Sequence, residues 1–328
     1  MSVWSDIGKR FEGINVLIIG DVMIDAYIWG AVERISPEAP VPIINVRKRD
    51  YRLGGAANVG LNIQALGARP ILCALAGQDE NGKRLLHLLD EKAMSKEGIV
   101  TTNRRPTTLK ARVIAAHQQV VRIDEESEQP ASAEEEALLL DRIEKLMPEC
   151  KVIIFEDYDK GTITPRIIEA VVTKAKAAHI PVVVDPKKRN FLHYQGVTLF
   201  KPNLKELREG LKVEIDPKDR NSVIRAVEMV KAKLGAAGIM LTLSEYGVFI
   251  DFEGKQISIP AHQREIADVS GAGDTVISIA AVCVALQLPA ERIVALSNLG
   301  GGLVCQHVGV VPVNKAELFR EAEELIPN

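Results

Sequence analysis

The chain has 328 residues, of which 47% are hydrophobic and 26% are charged, an ordinary composition for a folded protein with a sizeable core. Its formal net charge of −3 excludes the basic excess with which nucleic-acid-binding proteins neutralise phosphates. No signal-peptide pattern opens the sequence, and the longest apolar run, near 275–288, is too short to span a bilayer. We therefore expect a cytoplasmic protein that binds neither nucleic acid nor membrane.

The first part of the chain is predicted to alternate between buried strands and helices. The apolar run 14–19 predicts a central parallel strand that ends at Gly20-Asp21, and 71–76 predicts another. Between them a glycine turn at 53–60 opens a helix, and the spacing of leucines predicts a further helix over 82–92. This order of elements is typical of an α/β protein.

Two other segments of the first half have a different character. The segment 34–46 contains three prolines, which exclude a helix and favour edge strands. The segment 107–123 contains alternating stretches that fit paired strands with one wet face. We place these strands together in a small separate sheet, and we call about 26–53 and 104–124, which contain them, the lid segments.

The second half of the chain predicts repeated βα units. Such units form a mostly parallel sheet with helices on both faces, and ligands bind at the carboxyl ends of its strands. Each of a set of polar residues is predicted to follow a strand of this sheet: Asp21, Asp157, Asp185, Asn203, Thr242 and Asp274. The predicted helices are 133–147, 164–179, 220–234, 274–288, 290–307 and 315–325, and the predicted strands are 152–155, 182–184, 238–243 and the hairpin 248–251 with 256–259.

The stretch 268–275 carries the most specific chemical prediction. Asp268-Val269 is expected to close a strand-like run, the small residues 270–273 to form a turn, and Asp274 to open a buried helix. A glycine turn that leads into a helix presents backbone N–H groups and a positive dipole end to an anion. A carboxylate beside that anion could take a proton from an attacking hydroxyl, as phosphoryl transfer requires. Taken alone, the stretch also fits an ordinary capped helix.

Three stretches in this order, 54–58, 203–206 and 268–275, resemble the signatures of the ribokinase-like carbohydrate kinases, the phosphofructokinase B family. The resemblance implies a three-layer α/β/α domain over 1–328, with a central, mostly parallel sheet and a small β-sheet lid. Within that family the sequence is most similar to D-glycero-β-D-manno-heptose-7-phosphate kinases, through the stretches 20–25, 34–42, 107–112, 118–124 and 157–161. Those enzymes often carry a fused nucleotidyltransferase domain, and we expect this chain to be the stand-alone kinase.

The resemblance also implies the roles of individual residues. Asp274 would be the general base, and the amides of Gly271, Ala272 and Gly273 would form the anion hole. Asn203 and Glu206 would orient Mg²⁺ and its waters. The substrate would be bound by Asp21, Asp25, Gly54, Gly55, Asn58 and Asp157, and from the lid by Lys110, Arg112, Arg122 and Asp124. ATP would lie near Asp185, Lys187, Thr242, Gly247 and Asn298.

The resemblance implies a sugar phosphate and ATP as substrates and a homodimer formed through the lid. Basic residues in the lid and nearby turns favour a sugar that already carries a phosphate: Arg34, Lys110, Arg112, Lys187, Lys188 and Arg189. The alternatives are a family kinase for another sugar, sugar phosphate or nucleoside, such as ribose, fructose or fructose phosphate, and a non-catalytic sugar- or nucleotide-binding protein. Arg122 and Asp124 also fit a plain cross-strand pair, and Thr242 an ordinary strand end.

Overall fold

The structure, a computed structural model, describes residues 3–115 and 118–326. Helices and strands alternate along most of this range, as the apolar patterns predict. In chain order the elements are α1 (Val3–Arg10), β1 (Asn15–Gly20), β2 (Val22–Ile35), β3 (Pro42–Gly55), α2 (Ala56–Ala65), β4 (Arg69–Gly77), α3 (Glu80–Glu91), β5 (Ile99–Thr102), β6 (Thr108–Ala115), β7 (Gln118–Glu125), α4 (Ala133–Leu146), β8 (Val152–Glu156), α5 (Pro165–Ala177), β9 (Val182–Asp185), β10 (Leu199–Phe200), α6 (Leu204–Leu211), α7 (Arg220–Leu234), β11 (Gly238–Thr242), β12 (Val248–Phe252), β13 (Lys255–Ile259), α8 (Ala272–Ala285), α9 (Ala290–Val304) and α10 (Lys315–Leu325).

A large sheet forms the centre of the fold, with the strand order β13-β12-β11-β10-β9-β8-β1-β4-β5. Its strands are parallel except for the hairpin β12–β13, which joins the edge of the sheet antiparallel to β11. The first strand is an interior strand, flanked on both sides, and its Ile18 is in register with Leu72 of β4 and Ile154 of β8. The prediction of a mostly parallel sheet is confirmed.

Helices cover both faces of this sheet. Successive side chains of β1 point to opposite faces, so Val16 and Ile18 join one hydrophobic cluster while Leu17 and Ile19 join the other. The first cluster contains side chains of α1, α2, α3, α8, α9 and α10, and the second contains side chains of α4, α5, α6 and α7. This arrangement gives the three α/β/α layers that the sequence resemblance implies.

A small sheet with the order β3-β2-β6-β7 stands beside the large one. It contains both the proline-containing segment 34–46 and the alternating segment 107–123, as predicted, and residues 23–30 of β2 pair with β6 to connect them. The sheet begins at Val22, directly after β1, and returns at Gly55, directly before α2. The backbone N–H of Ala56 donates to the carbonyl of Asp21 at 3.0 Å, so the start and the return of the small sheet meet at one point.

Several details differ from the sequence predictions. The strand-like run before Ser270 is not a strand, because the N–H groups of Ala267 and Asp268 donate to the Cys305 carbonyl instead of to a neighbouring strand. Helix α8 begins at Ala272, two residues earlier than expected. The patterns did not predict α1 or β5. In the part of the chain that the structure describes, no helix is long and apolar enough to cross a membrane.

Candidate active site

The carboxylate of Asp274 lies at the centre of the candidate site. Asp274 is in the first turn of α8 and is only 8% exposed. Its Oδ2 accepts a hydrogen bond from Nδ2 of Asn58 at 2.5 Å, and its Oδ1 accepts one from the hydroxyl of Tyr158 at 2.9 Å. Asn58 lies in α2, directly after the glycine turn that ends β3. The fold therefore brings Asn58 and Asp274, to which the resemblance gives separate roles, into direct contact.

The environment of Asp274 suits a general base. The pKa of its carboxyl is raised to about 6, because burial and, to a smaller extent, the nearby Asp185 raise it by more than the hydrogen bonds from Asn58 and Tyr158 and the charge of Lys201 lower it. The carboxyl of Glu156, at the end of β8, is also buried, and burial together with Asp185 raises its pKa well above the ordinary value. Asp274 is thus ionised at neutral pH and can still accept a proton, which is what a base requires.

The turn before Asp274 presents the predicted anion-binding amides at the start of α8. Gly271 is the N-cap residue of this helix. The N–H of Ala272 donates to the Val269 carbonyl at 3.3 Å, a long bond that a phosphate oxygen could replace. A Cβ added at Gly273 would lie 3.7 Å from Oδ2 of Asp185 and 3.9 Å from Nζ of Lys201. The turn therefore faces this charged pair at the ends of β9 and β10.

Lys201 is a buried cation that the sequence patterns did not single out. Its Nζ lies 2.7 Å from Oδ2 of Asp185, and the residue is 2% exposed. Burial by itself would lower the pKa of Lys201, but Asp185 and Glu206 raise it above the ordinary value, so the side chain stays charged. The signal available in the sequence was a lysine directly after the apolar pair of β10, two residues before Asn203.

Asn203 and Glu206 meet at one point, but they meet as a helix cap. Oδ1 of Asn203 accepts the N–H of Glu206, and Oε2 of Glu206 accepts the N–H of Asn203, each at 2.8 Å. This reciprocal capping box begins α6, and Oε1 of Glu206 accepts a hydrogen bond from Nζ of Lys187. Within 3–115 and 118–326, no cluster of three or more His, Cys, Asp or Glu side chains is placed to hold a metal ion.

The glycine pair before α2 allows the backbone to approach two aspartates. A Cβ at Gly54 would lie 2.3 Å from Oδ2 of Asp25, and a Cβ at Gly55 would lie 2.3 Å from the carbonyl of Asp21. Gly55 also has a φ of +58°, which side chains with a Cβ rarely adopt. Asp25 is buried and forms an ion pair with Arg112 on β6. The pair connects the glycine turn to the small sheet.

The basic residues of β6 share one face of the small sheet. Lys110 and Arg112 alternate with the buried Leu109 and Ala111, which confirms that both point to the same side. Nζ of Lys110 lies 3.0 Å from Oε2 of Glu126, and Arg112 contacts Asp25. Both cations are therefore paired with carboxylates in the ligand-free chain.

Arg122 and Asp124 form a pair within one strand. Nε of Arg122 lies 2.9 Å from Oδ1 of Asp124, two residues further along β7. The cross-strand partner of Asp124 is Lys110, which is in register with it and lies 3.4 Å from its Oδ2. The alternative for these residues was a cross-strand pair of Arg122 with Asp124. In the structure the cross-strand partner of Asp124 is Lys110, and Arg122 contacts Asp124 along the same strand.

Two predicted substrate carboxylates are engaged by the protein itself. The oxygens of Asp21 accept the backbone N–H groups of Tyr158, Lys160 and Thr162, each at 3.0 Å. Asp21 is 1% exposed and organises the loop after β8, and its predicted contact with the sugar stays a prediction.

Asp157 is likewise 1% exposed and accepts hydrogen bonds from Asn190 at 3.0 Å and from the hydroxyl of Tyr194 at 2.7 Å. These partners belong to the segment after β9, on the side of the second hydrophobic cluster. The carboxylate of Asp157 therefore supports the packing of that segment, and its predicted contact with the sugar stays a prediction.

Three of the five predicted nucleotide residues lie toward the hairpin edge of the large sheet. Thr242 ends β11 and forms an isolated parallel bridge with Asn203. Gly247 precedes β12, and a Cβ there would lie 2.0 Å from the carbonyl of Ile259. Nδ2 of Asn298 donates to the carbonyl of Pro260 at 2.9 Å. Gly247 and Asn298 thus both border the end of β13.

Comparison with known proteins identifies the class of this arrangement. The model of the pfkB family of carbohydrate kinases matches residues 14–316. The chain belongs to this family and is a sugar kinase. The fold agrees: Escherichia coli phosphofructokinase-2 in complex with potassium aligns with a TM-score of 0.76 over 95% of this chain and 99% of that chain, at 16% identity. Arabidopsis thaliana ribokinase complexed with ribose and ATP aligns with a TM-score of 0.71 over 94% and 99%, at 18% identity.

Relatives with a higher sequence identity to this chain share one name. The bifunctional protein HldE of Geotalea uraniireducens is 39% identical to this chain over 320 residues, and that of Wolinella succinogenes is 40% identical over 304 residues. The alignments cover 97% and 93% of this chain but 65% and 64% of those proteins. The chain therefore spans slightly less than two thirds of the length of these relatives.

Proposed function

We propose that the chain transfers the γ-phosphoryl group of ATP to the 1-hydroxyl of D-glycero-D-manno-heptose 7-phosphate. The product is heptose 1,7-bisphosphate, a precursor of ADP-heptose and of the lipopolysaccharide core. The observation that carries the proposal is the buried Asp274 carboxylate, held between Asn58 and Tyr158 at the start of α8. A carboxylate at a helix N-terminus beside a glycine turn is the arrangement that a hydroxyl-to-phosphate transfer needs.

In the proposed reaction the sugar oxygen forms a bond to the γ-phosphorus while the bond between that phosphorus and the bridging oxygen of ADP breaks. Asp274 accepts the hydroxyl proton, which its pKa of about 6 allows at neutral pH. The amides of 271–273 and the positive end of α8 stabilise negative charge on the transferring group. Lys201, buried beside Asp185, adds a positive charge that faces Gly273 of the turn.

The residues expected near Mg²⁺ suit contact through water better than direct ligation. The Asn203 oxygen and both Glu206 oxygens accept hydrogen bonds in the α6 cap and from Lys187, so direct ligation would break the cap. A carboxylate oxygen can accept more than one hydrogen bond, and Mg²⁺ usually keeps several waters. Glu206 would therefore orient a water of the ion, which neutralises charge on the ATP phosphates when it is bound.

The choice of a phosphorylated sugar is supported by the small sheet and by the relatives. Lys110 and Arg112 share one face, and guanidinium and ammonium groups recognise phosphates through charge-assisted hydrogen bonds. A phosphate could replace Glu126 and Asp25 as their partner. The relatives called bifunctional extend well beyond the aligned region, as expected for heptose 7-phosphate kinases with a fused second domain.

We also propose that the small sheet acts as a lid and forms a homodimer, and that the enzyme works in the cytoplasm, where its substrate ATP is available. Several apolar side chains of this sheet face solvent: Val32, Ile35, Val46, Val120, Val121 and Ile123. An exposed apolar sheet face is stabilised when a second copy covers it. Light scattering of the purified chain tests this part, and a monomer at micromolar concentration would contradict it.

The substrate is tested by measuring ADP formation with ATP, Mg²⁺ and a panel of sugars: heptose 7-phosphate, unphosphorylated heptose, ribose, fructose and fructose 6-phosphate. We expect the highest kcat/KM with heptose 7-phosphate. Preference for another member of the panel would replace the proposed sugar but leave the kinase chemistry intact. No transfer to any hydroxyl acceptor would contradict the proposed reaction.

A further inference from the structure

Tyr158 has no assigned role, yet it contacts the proposed base directly. Its hydroxyl donates to Oδ1 of Asp274 across 116 residues of sequence. Burial of the Tyr158 hydroxyl and the negative charge of Asp274 raise the pKa of the phenol well above its ordinary value, so the hydroxyl keeps its proton and acts as a donor. Nζ of Lys187 lies over the face of the Tyr158 ring, 5.4 Å from the ring centroid. Tyr158 therefore connects the base to a cation on the proposed phosphate side.

The loop that carries Tyr158 is held by a buried carboxylate. Asp21 accepts the N–H groups of Tyr158 and Lys160 at its Oδ2 and the N–H of Thr162 at its Oδ1. Hydrogen bonds from backbone N–H groups to a charged acceptor are stronger than neutral ones, so they restrain the backbone on both sides of Tyr158. Asp21 itself is fixed between β1 and β2, and its own carbonyl accepts the N–H of Ala56.

We propose that Tyr158 is a positioning residue for the Asp274 base and that Asp21 sets its place through the loop after β8. This inference rests on the proposed role of Asp274 and not on the identity of the sugar. Asn58 holds Oδ2 of Asp274 and Tyr158 holds Oδ1, so the two donors together restrict rotation of the carboxylate. A base that is held at one orientation meets the attacking hydroxyl without reorganisation.

A positioning role predicts an effect on the pH dependence of the reaction. The groups that face Asp274 are Asn58 from α2, Glu156 at the end of β8, Tyr158 in the loop after it, Asp185 of β9 and Lys201 after β10. Of these, Asn58, Tyr158 and Lys201 favour the ionised carboxylate, whereas burial and Asp185 oppose it. Loss of the Tyr158 hydroxyl therefore raises the pKa of Asp274, and the acid limb of kcat/KM moves to higher pH.

The test compares Tyr158→Phe with Tyr194→Phe in the full chain. Tyr158→Phe keeps the ring over which Lys187 lies and removes only the hydroxyl. Tyr194→Phe is the matched control, because it removes a buried tyrosine hydroxyl that donates to a different carboxylate, Asp157, at 2.7 Å. For Tyr158→Phe we expect kcat to fall about tenfold, the factor that one hydrogen bond to a charged group can supply. The KM for ATP should stay unchanged, and the acid limb should shift upward.

The control separates positioning from stability. Tyr194→Phe should lower the unfolding temperature but leave kcat and the acid limb at their wild-type values. Equal kcat and an equal acid limb in wild type and Tyr158→Phe would overturn the proposal. A lower kcat with an unmoved acid limb, as general loosening of the fold would give, would also overturn it.

Asp21→Asn tests the link through the loop. In this variant an amide nitrogen replaces one of the two carboxylate oxygens and faces a backbone N–H donor, so the loop should shift. We expect a fall in kcat in the wild-type background and little further fall in Tyr158→Phe, because both changes act through one hydroxyl. Additive losses would show that Asp21 acts separately.

The assay uses whichever sugar the wild-type chain phosphorylates in the panel, so failure of the proposed sugar does not affect it. Asp274→Asn is measured in parallel. Undiminished turnover in Asp274→Asn would refute the base assignment and this inference with it. An inactive Asp274→Asn beside an unaffected Tyr158→Phe would refute the role of Tyr158 alone.

Discussion

Replacement of Asp274 by Asn should make the protein inactive and more stable at neutral pH. The substitution removes the proposed base and keeps the size of the side chain. Turnover at saturating substrates should fall about 10²-fold or more, because a positioned base contributes on that order. The expected gain in stability is less intuitive, because replacing a side chain that has buried hydrogen-bond partners usually destabilises a fold.

The expected gain follows from the raised pKa. The carboxyl of Asp274 has a pKa of about 6 in the folded chain and an ordinary value of 3.8. Because the folded state binds the proton more tightly than the unfolded state, the free energy of unfolding falls as the pH rises from 3.8 through 6. At pH 7 the cost of burying the ionised carboxylate is fully present. The difference between the two values corresponds to about 3 kcal/mol. An amide avoids this cost but satisfies the donors Asn58 and Tyr158 less well, so we expect a net gain of about 1–2 kcal/mol.

The measurement is urea unfolding of wild type and Asp274→Asn at pH 7.5 and pH 5, without ligands, combined with turnover at saturating ATP and sugar. The variant should be the more stable protein at pH 7.5, and its advantage should shrink at pH 5, where the wild-type carboxyl is mostly protonated. Asp141→Asn, a change at an exposed position of α4, is the control and should follow wild type at both pH values.

Two results would refute this reasoning. A variant less stable than wild type at pH 7.5 would mean that the carboxylate is not costly to bury and that its hydrogen bonds dominate. A loss of turnover below about tenfold would remove Asp274 from the role of base.

Three further predictions concern the phosphate and sugar sides of the site. Gly273→Val should fold, because an added Cβ lies 3.7 Å from Asp185, but turnover should fall about 10²-fold because the side chain occupies the phosphate position; normal turnover would contradict the anion hole. Lys110→Ala or Arg112→Ala should raise the KM for heptose 7-phosphate about tenfold or more and leave the KM for ATP unchanged. Equal weakening of an unphosphorylated heptose, or a change to a monomer in light scattering, would assign these residues to structural pairing. Lys201→Met should destabilise the fold by about 3 kcal/mol, measured by urea unfolding, because it removes the nearer cation of the buried Asp185, at 2.7 Å, and leaves only Lys187 at 3.9 Å; a change within experimental error would show that Lys187 or water replaces it.

The amino-acid sequence by itself was sufficient for the architecture. The apolar run 14–19 predicted the central strand β1, and the alternating segments predicted the small sheet, because the side-chain period of a strand is a local property of the chain. The glycine turns before α2 and α8 were likewise visible, since few other residues fit such turns. The resemblance to a family assigned Asn58 to the sugar and Asp274 to the role of base, but their direct hydrogen bond appeared only in the structure.

Only the tertiary structure decided which partner each polar side chain takes. The carboxylate of Asp21 accepts hydrogen bonds from the loop after β8, which no sequence pattern predicted, and Tyr158 was not singled out although its hydroxyl donates to Asp274. Lys201 was missed because its partner Asp185 lies on a neighbouring strand. A hydrogen bond between residues 116 positions apart depends on strand order and on burial. The order of strands and the burial of a polar side chain leave no local pattern in the sequence. A buried aspartate cannot be distinguished from an exposed one before the neighbouring strands are known.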